Sequence, residues 1–156
     1  MSLRVGIGVD AHAFEDGVPL VLGGVGFESP RGLAGHSDGD VITHALIDAV
    51  LGAAGLGDIG SLFPSNASTP VGVSSLDLLR DAVDQVRAAG YAVSNADCVL
   101  IGEEPRISER RAEMVVALSA VVGAPVNVRA TTTDRLGFTG RREGLAAQAV
   151  ALVDSR

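Results

Sequence analysis

Val5-Gly6-Ile7-Gly8-Val9-Asp10-Ala11-His12 is the stretch on which the fold turns. Branched residues at 5, 7 and 9 alternate with glycines at 6 and 8, the two-residue period of an extended strand. The expectation is a strand with its odd face buried and its even face bare of side chains until Asp10 and His12 continue that face. Leu20-Val21-Leu22-Gly23-Gly24-Val25-Gly26-Phe27 then reads as two short strands about a Gly-Gly turn. After a loop with Pro30, Gly32 and Gly35, the apolar residues Val41, Ile42, Ala45, Leu46, Ala49, Val50 and Ala53 recur at helical spacing over about 40–53. Ser37 or Asp38 is available as the N-cap, and the helix carries His44.

Further along, residues 57–74 are rich in Gly, Ser, Pro and Asn and read as a mobile surface loop. Ser74 or Ser75 caps a second helix whose Leu76, Leu79, Val83 and Val86 face the core, with Gly90 ending it. Residues 91–101 read as a strand, 102–106 as a turn, Ser108 to about Val122 as a third helix and 126–130 as another strand. A polar, glycine-punctuated loop follows over 131–141. The closing run 145–153 fits helix or strand, because Ala-rich apolar segments satisfy both periods poorly. No internal repeat and no linker divides the chain, so residues 1–156 are expected to form a single domain.

Composition narrows the class. The chain has 156 residues, 47% hydrophobic and 20% charged, with mean hydropathy +0.34. A chain of this size buries about 70% of its unfolded surface and needs neither disulfide nor metal merely to fold. Against 12 Lys and Arg stand 19 Asp and Glu, a net charge of −7, so nucleic acid and anionic membranes are poor general partners. Aromatic residues are only 3%, too few for a base-stacking platform. No apolar run approaches the roughly 20 residues that span a bilayer, and the N-terminus does not resemble a signal peptide. Cys98 stands alone in an apolar stretch; no disulfide can form within the chain, and a cytoplasmic location is expected.

All three histidines lie between positions 12 and 44. Asp10 and His12, two apart on an extended chain, point to the same side, and His44 comes from a helix. One carboxylate and two imidazoles suit Zn²⁺ and leave a fourth position open, as in catalytic sites. On spacing alone a bland reading is about as good: Asp10 caps a turn and the histidines are partly exposed. Asp40, His44 and Asp48 share a helix face, and either carboxylate is placed to hold the second nitrogen of His44 or to sit on a solvated acidic face. His36-Ser37-Asp38-Gly39-Asp40 opens the helix, where free N–H groups attract phosphate or are simply capped. Thr131-Thr132-Thr133-Asp134 sets hydroxyl donors beside a hard carboxylate, suited to a diphosphate and Mg²⁺, although a Thr run at a strand end is often only β-propensity. No Gly-x-Ser-x-Gly elbow occurs, and a Ser or Cys nucleophile is not supported.

Asp10-Ala11-His12-Ala13-Phe14, Gly35-His36-Ser37-Asp38-Gly39-Asp40, His44-Ala45-Leu46, Leu56-Gly57-Asp58-Ile59-Gly60, Leu62-Phe63-Pro64, Ala130-Thr131-Thr132-Thr133 and Leu136-Gly137-Phe138-Thr139-Gly140-Arg141 occur in order between about residues 4 and 153. Together they resemble the successive motifs of the 2-C-methyl-D-erythritol 2,4-cyclodiphosphate synthases. The resemblance implies an α/β subunit, an α+β sandwich with a four-stranded sheet, helices on one face and a small N-terminal hairpin. It also implies a homotrimer with sites between subunits. The implied reaction, in the non-mevalonate route to isoprenoids, cyclises 4-diphosphocytidyl-2-C-methyl-D-erythritol 2-phosphate and expels CMP. Phosphoryl transfer of this kind asks chiefly for positioning and charge neutralisation.

The same resemblance assigns residues. Asp10, His12 and His44 are the implied ligands of Zn²⁺ or another divalent transition metal, and Asp134 that of Mg²⁺ or Mn²⁺ bridging the diphosphate. His36 and Ser37 are implied donors to the 2-phosphate, and Thr132, between Thr131 and Thr133, a donor to the diphosphate. Asp58, Ile59 and Gly60 would hold the methylerythritol hydroxyls, with Phe63 and Pro64 beside them. Gly102, Glu103, Glu104, Pro105, Arg106, Ile107 and Ser108 match the cytosine pocket. Phe138 and Arg141 match residues of the central cavity and the phosphate side. Three positions depart from the family pattern: Asp134 replaces glutamate, Arg106 replaces lysine, and Ser65 stands where aspartate is common. Two rival readings are a phosphohydrolase on the same scaffold, which would release inorganic phosphate, and a non-catalytic trimeric zinc-binding module, which would need a fourth protein ligand.

Overall fold

The computed structural model describes residues 2–156; Met1 lies outside them. The long strand β1 (Leu3–Asp16) is followed by the hairpin of β2 (Leu20–Leu22) and β3 (Val25–Phe27), and by the short strand β4 (Arg31–Leu33). Next come α1 (Val41–Ala54), the single turn α2 (Ile59–Leu62), α3 (Ser75–Ala88) and β5 (Tyr91–Ile101). The chain closes with α4 (Arg111–Val122), β6 (Val126–Thr131), the turn α5 (Gly137–Gly140) and β7 (Gly144–Ser155). The sheet has five strands in the order β4-β1-β7-β5-β6, where four were expected. The fifth is β4, which pairs only with the far end of β1, Phe14 facing Leu33.

The closing run is a strand because it has two partners. Gly144 to Asp154 pairs antiparallel with β1 on one side, and most of the same strand pairs antiparallel with β5 on the other. β5 and β6 run parallel, joined through α4. At the hairpin, Gly23 and Gly24 both have positive φ, 57° and 76°, a conformation glycine adopts without a Cβ clash.

The expected sidedness of β1 is reversed. Gly6 and Gly8 are buried, whereas Val5 and Ile7 are 68% and 66% exposed. A Cβ at Gly6 would fall on the Ala49 carbonyl and the Ala53 amide, and one at Gly8 on the Ala45 carbonyl. The glycines are therefore the core face: they let the backbone of α1 lie directly on the strand. The branched residues point the other way, and Leu3, Val5, Ile7, Val9 and Val150 form an exposed apolar face.

Helix α1 packs on β1, β7 and β5 and against α3, so nearly every side chain along it is buried. The helices cover one face of the sheet, whose core side is carried by Leu145, Ala147, Ala149, Ala151 and Val153 of β7 and by Ala96, Cys98 and Leu100 of β5. Two local expectations change. The N-cap of α1 is Asp40 rather than Ser37 or Asp38, its carboxylate accepting from Thr43 N at 3.1 Å. The third helix begins at Arg111, after a turn at Ser108.

Candidate metal centre and nucleotide cleft

Asp10 and His12 lie on the even side of β1, the side against α1, and His44 sits in the first turn of that helix. Because Gly8 admits the Ala45 carbonyl, the strand and the helix meet closely enough to bring the three side chains together. Asp10 Oδ2 lies 2.8 Å from His12 Nε2 and 3.1 Å from His44 Nδ1, and the two ring nitrogens are 3.1 Å apart. Ligand atoms on a tetrahedral ion at about 2.0–2.1 Å stand roughly 3.3 Å apart, so a small outward relaxation would seat a cation. Among the described residues no fourth His, Cys, Asp or Glu joins the group.

The outer nitrogens are held as metal-ligating histidines require. His12 Nδ1 lies 2.7 Å from the Ala34 carbonyl, which only accepts, so Nδ1 carries a proton and Nε2 is the nitrogen turned to the centre. His44 Nε2 lies 2.8 Å from Ser75 Oγ and 3.0 Å from Ser37 Oγ. Neither Asp40 nor Asp48, which the helix spacing placed beside it, takes that nitrogen. Asp40 is fully buried and turns back to accept from Gly23 N, Gly24 N, Thr43 N and Thr43 Oγ1, tying the hairpin to the helix start. Asp48 accepts from Ile59 N at 2.8 Å and fixes the start of α2. Ser75, 31 residues from His44, is the partner that sequence spacing could not reveal, and it is held in turn by Asp38, 37 residues away from it.

Electrostatics favour a cation. Burial alone would raise the Asp10 carboxyl, but hydrogen bonds from His12 and His44 and their charges outweigh it and hold it at about 2. The hydrogen bond to Asp10 raises the His12 imidazole above its ordinary value against the opposing effect of burial. Burial likewise raises Asp40 and Asp48. Cys98 is no nucleophile: burial pushes its thiol up to about 12.

Beside the centre opens a cleft of about 170 Å³ lined by Asp10, His12, His36, Ser37, His44, Ile59, Gly60, Phe63, Ser65, Thr69 and Leu78. His36 is bonded through Nε2 to the Thr69 carbonyl. Asp58 lies at the rim, its carboxylate closing a capping box with Ser61 at the start of α2, and Pro64 is half-buried next to Phe63.

A second cleft, about 420 Å³, is lined by Gly102, Glu103, Pro105, Arg106, Ile107, Ser108, Arg111, Ala130, Thr131, Thr132 and Arg142. It shares no lining residue with the first. Glu104 does not line it, being paired with Arg31 at 2.7 Å. Thr133 Oγ1 donates to the Leu136 carbonyl at 2.6 Å, closing the turn after β6. Asp134 is exposed with φ 52°. Phe138 lines a shallow pocket with His12 and Glu143, and the Arg141 guanidinium rests on Glu143 at 3.2 Å. Within one chain, then, the metal-competent centre and the threonine-rich cleft are separate.

The fold and these two clefts define a small α/β chain with an open, metal-competent carboxylate–bis-imidazole centre. The chain belongs to the YgbB family, whose sequence model matches residues 3–154. The 2-C-methyl-D-erythritol 2,4-cyclodiphosphate synthase of Syntrophobacter fumaroxidans is 51% identical over 156 residues, 98% of each chain. Among solved structures, the bifunctional IspDF of Campylobacter jejuni matches with TM-score 0.95 at 38% identity; the match covers 99% of this chain and 43% of that longer one. The CDP complex of Plasmodium falciparum IspF matches with TM-score 0.85 at 31% identity, over 99% and 97% of the two chains.

Proposed function

We propose that the chain is a 2-C-methyl-D-erythritol 2,4-cyclodiphosphate synthase of the non-mevalonate isoprenoid pathway, working as one domain in the cytoplasm. The observation that carries this reading is the Asp10–His12–His44 centre opening onto the cleft of His36 and Ser37, in a chain that matches synthases of that name along nearly its whole length. In the reaction, an oxygen of the substrate's 2-phosphate attacks the β-phosphorus. The bond from that phosphorus to the oxygen bridging to the α-phosphorus breaks, and CMP leaves with the bridging oxygen.

His36 and Ser37 orient the 2-phosphate, and Asp58, Ile59 and Gly60 hold the methylerythritol hydroxyls against Phe63 and Pro64. Thr132, with Thr131 and Thr133, donates to the diphosphate. The 102–108 segment takes the cytosine, Arg106 supplying the cation there, and Phe138 and Arg141 close the phosphate side. Zn²⁺ or a similar ion at Asp10, His12 and His44, with Mg²⁺ or Mn²⁺ at Asp134, would neutralise charge on the diphosphate oxygens. The donor set fits such an ion: an ionised carboxylate and two imidazoles whose outer nitrogens are hydrogen-bonded.

Because the two clefts are separate in one chain, the full site is proposed to form between subunits of a homotrimer, one copy supplying the metal centre and its neighbour the nucleotide cleft. The exposed face of Val5, Ile7, Val9 and Val150 supports association, since an apolar patch of this kind on a small chain marks an interface. Mass spectrometry of the products formed from the diphosphocytidyl substrate with Mg²⁺ tests the proposal. The cyclic diphosphate and CMP are expected; inorganic phosphate would instead indicate a phosphohydrolase, and no turnover a zinc-binding module.

A further inference from the structure

We propose that Arg31 is a positioning residue for the nucleotide cleft, holding the 103–106 loop through Glu104 so that the loop's main-chain groups stand ready for a pyrimidine base; this rests on reading that cleft as the nucleotide site. Two anchors bound the loop. Gly102 N donates to the Thr131 carbonyl at 3.0 Å, and Ile107 is buried with its carbonyl accepting from Arg110 N. Among the described residues, no main-chain hydrogen bond is made by residues 103–106 between them. Their N–H and C=O groups are free for solvent or for a ligand. Glu103 Oε1 accepts from Arg135 N at 3.1 Å and Glu104 Oε1 accepts from Arg31 Nη2 at 2.7 Å, so two side chains carry the loop's position.

The Arg31 end of that link is itself fixed. Arg31 opens β4 and pairs with Asp16 of β1, and its guanidinium lies 4.1 Å from the centroid of the Phe14 ring. The same Nη2 donates to the Arg142 carbonyl at 3.1 Å. Arg142 is held in the left-handed region, φ 59°, and lines the nucleotide cleft with Pro105. One nitrogen thus ties the loop and Arg142 to the β1–β4 edge. A lone surface ion pair contributes little, but a stacked guanidinium that donates twice keeps one geometry. Behind the loop lies a cavity of about 190 Å³, lined by Phe14, Leu20, Pro30 and Pro105 together with Arg31 and Glu104. Packing from the rear therefore does not fix the loop, and the ion pair bridges the gap.

Cytosine donates through its amino group and accepts at the neighbouring ring nitrogen, whereas uracil presents the reverse pattern there. Main-chain groups tell the two apart only when held in place, so a released loop loses discrimination as well as affinity. Arg31 touches neither the metal-competent centre nor the threonines, and its loss should alter binding without altering the chemical step. Arg31→Met keeps the contact with Phe14 and removes both donors; Arg31→Lys returns one charge. These are compared with Glu104→Ala, with the double variant Arg31→Met/Glu104→Ala, and with Arg80→Ala, which breaks an exposed 2.8 Å pair with Asp77 on α3. The measurements on the full chain are hydrogen exchange without nucleotide, calorimetric titration with CDP and with UDP, and KM and kcat for the diphosphocytidyl substrate.

In Arg31→Met, exchange should quicken in the 102–108 segment alone and the preference for CDP over UDP should narrow. CDP affinity should fall about 5- to 20-fold, the scale of a partly exposed ion pair combined with a cation–π contact. KM should rise with kcat retained, Arg31→Lys should be intermediate and Arg80→Ala parental. The double variant should bind CDP no more weakly than Arg31→Met, since both changes break one link. Parental exchange and CDP affinity in Arg31→Met would overturn the proposal, as would additive losses in the double variant. Quickened exchange throughout the chain would also overturn it, by assigning the loss to general structure. A parental chain that takes up no CDP would refute the nucleotide reading and with it the proposal, whereas equal uptake of CDP and UDP would keep the site and overturn the role of the loop alone.

Discussion

Three side chains at the centre make opposite demands on protons and cations. Their nitrogen and oxygen atoms stand about as far apart as a bound ion requires, so His44→Ala should abolish stoichiometric zinc in elemental analysis. The circular dichroism spectrum should be kept, because the core of α1 is apolar and independent of it. Without metal, the Asp10–His12 pair itself contributes stability. The depressed Asp10 value makes that contribution fully present above the ordinary carboxyl value of about 4 and lost as pH falls toward about 2. The raised His12 value makes it present below the ordinary imidazole value of about 6.5 and lost as pH rises through the elevated one. Urea midpoints of chelator-treated protein should therefore be highest between roughly pH 4 and 6.5 relative to His12→Ala, and the difference should shrink on either side. Asp134, one methylene short of the family's glutamate, gives a third test. Asp134→Asn should lower CMP release on the order of 10²-fold with zinc content unchanged, and Asp134→Glu should retain the rate. The triad was legible because a lone carboxylate, two imidazoles and a strand's two-residue period leave few arrangements. Ser75 and Asp38 were not, because each looks like a helix cap in sequence and their partnership spans 37 residues.

At the level of elements, β1 shows what alternation encodes and what it leaves open. The glycine period announced a strand, yet the side of burial depends on what lies across it: an Ala-rich helix that approaches backbone to backbone. Gly8→Ala should therefore push α1 off the strand. It should cost about 1–3 kcal/mol in chemical denaturation, the range for overpacking, and weaken metal binding in the same protein because His44 rides on the displaced helix. Gly26→Ala, where a Cβ meets nothing within 4 Å, is the matched control and should bind metal normally. The closing strand was ambiguous for a related reason: small Ala side chains mark neither period well, and only the ladders to β1 and β5 decide between them.

For the whole molecule, the separation of the two clefts is the governing fact. Chains carrying His12→Ala and chains carrying Thr132→Ala should each be inactive alone. Unfolded together and reassembled, they should regain part of the activity, since some mixed clefts draw an intact centre from one copy and intact threonines from another. A single-chain mass by light scattering, or no rescue in the mixture, would refute the shared site. The sequence motifs named both groups of residues, but no one-dimensional pattern says that one chain sets them in separate clefts. β1 links this arrangement to the chemistry. Its odd side chains, Val5, Ile7 and Val9, are bare in the lone chain, while Asp10 and His12 project from its opposite side. A neighbour that presses on the first side braces the second from behind, as a wall stiffened from the outside keeps a shelf level within. Quaternary contacts and metal grip would then share one mechanical support, so dilution that parts the copies should loosen the ion held by Asp10, His12 and His44.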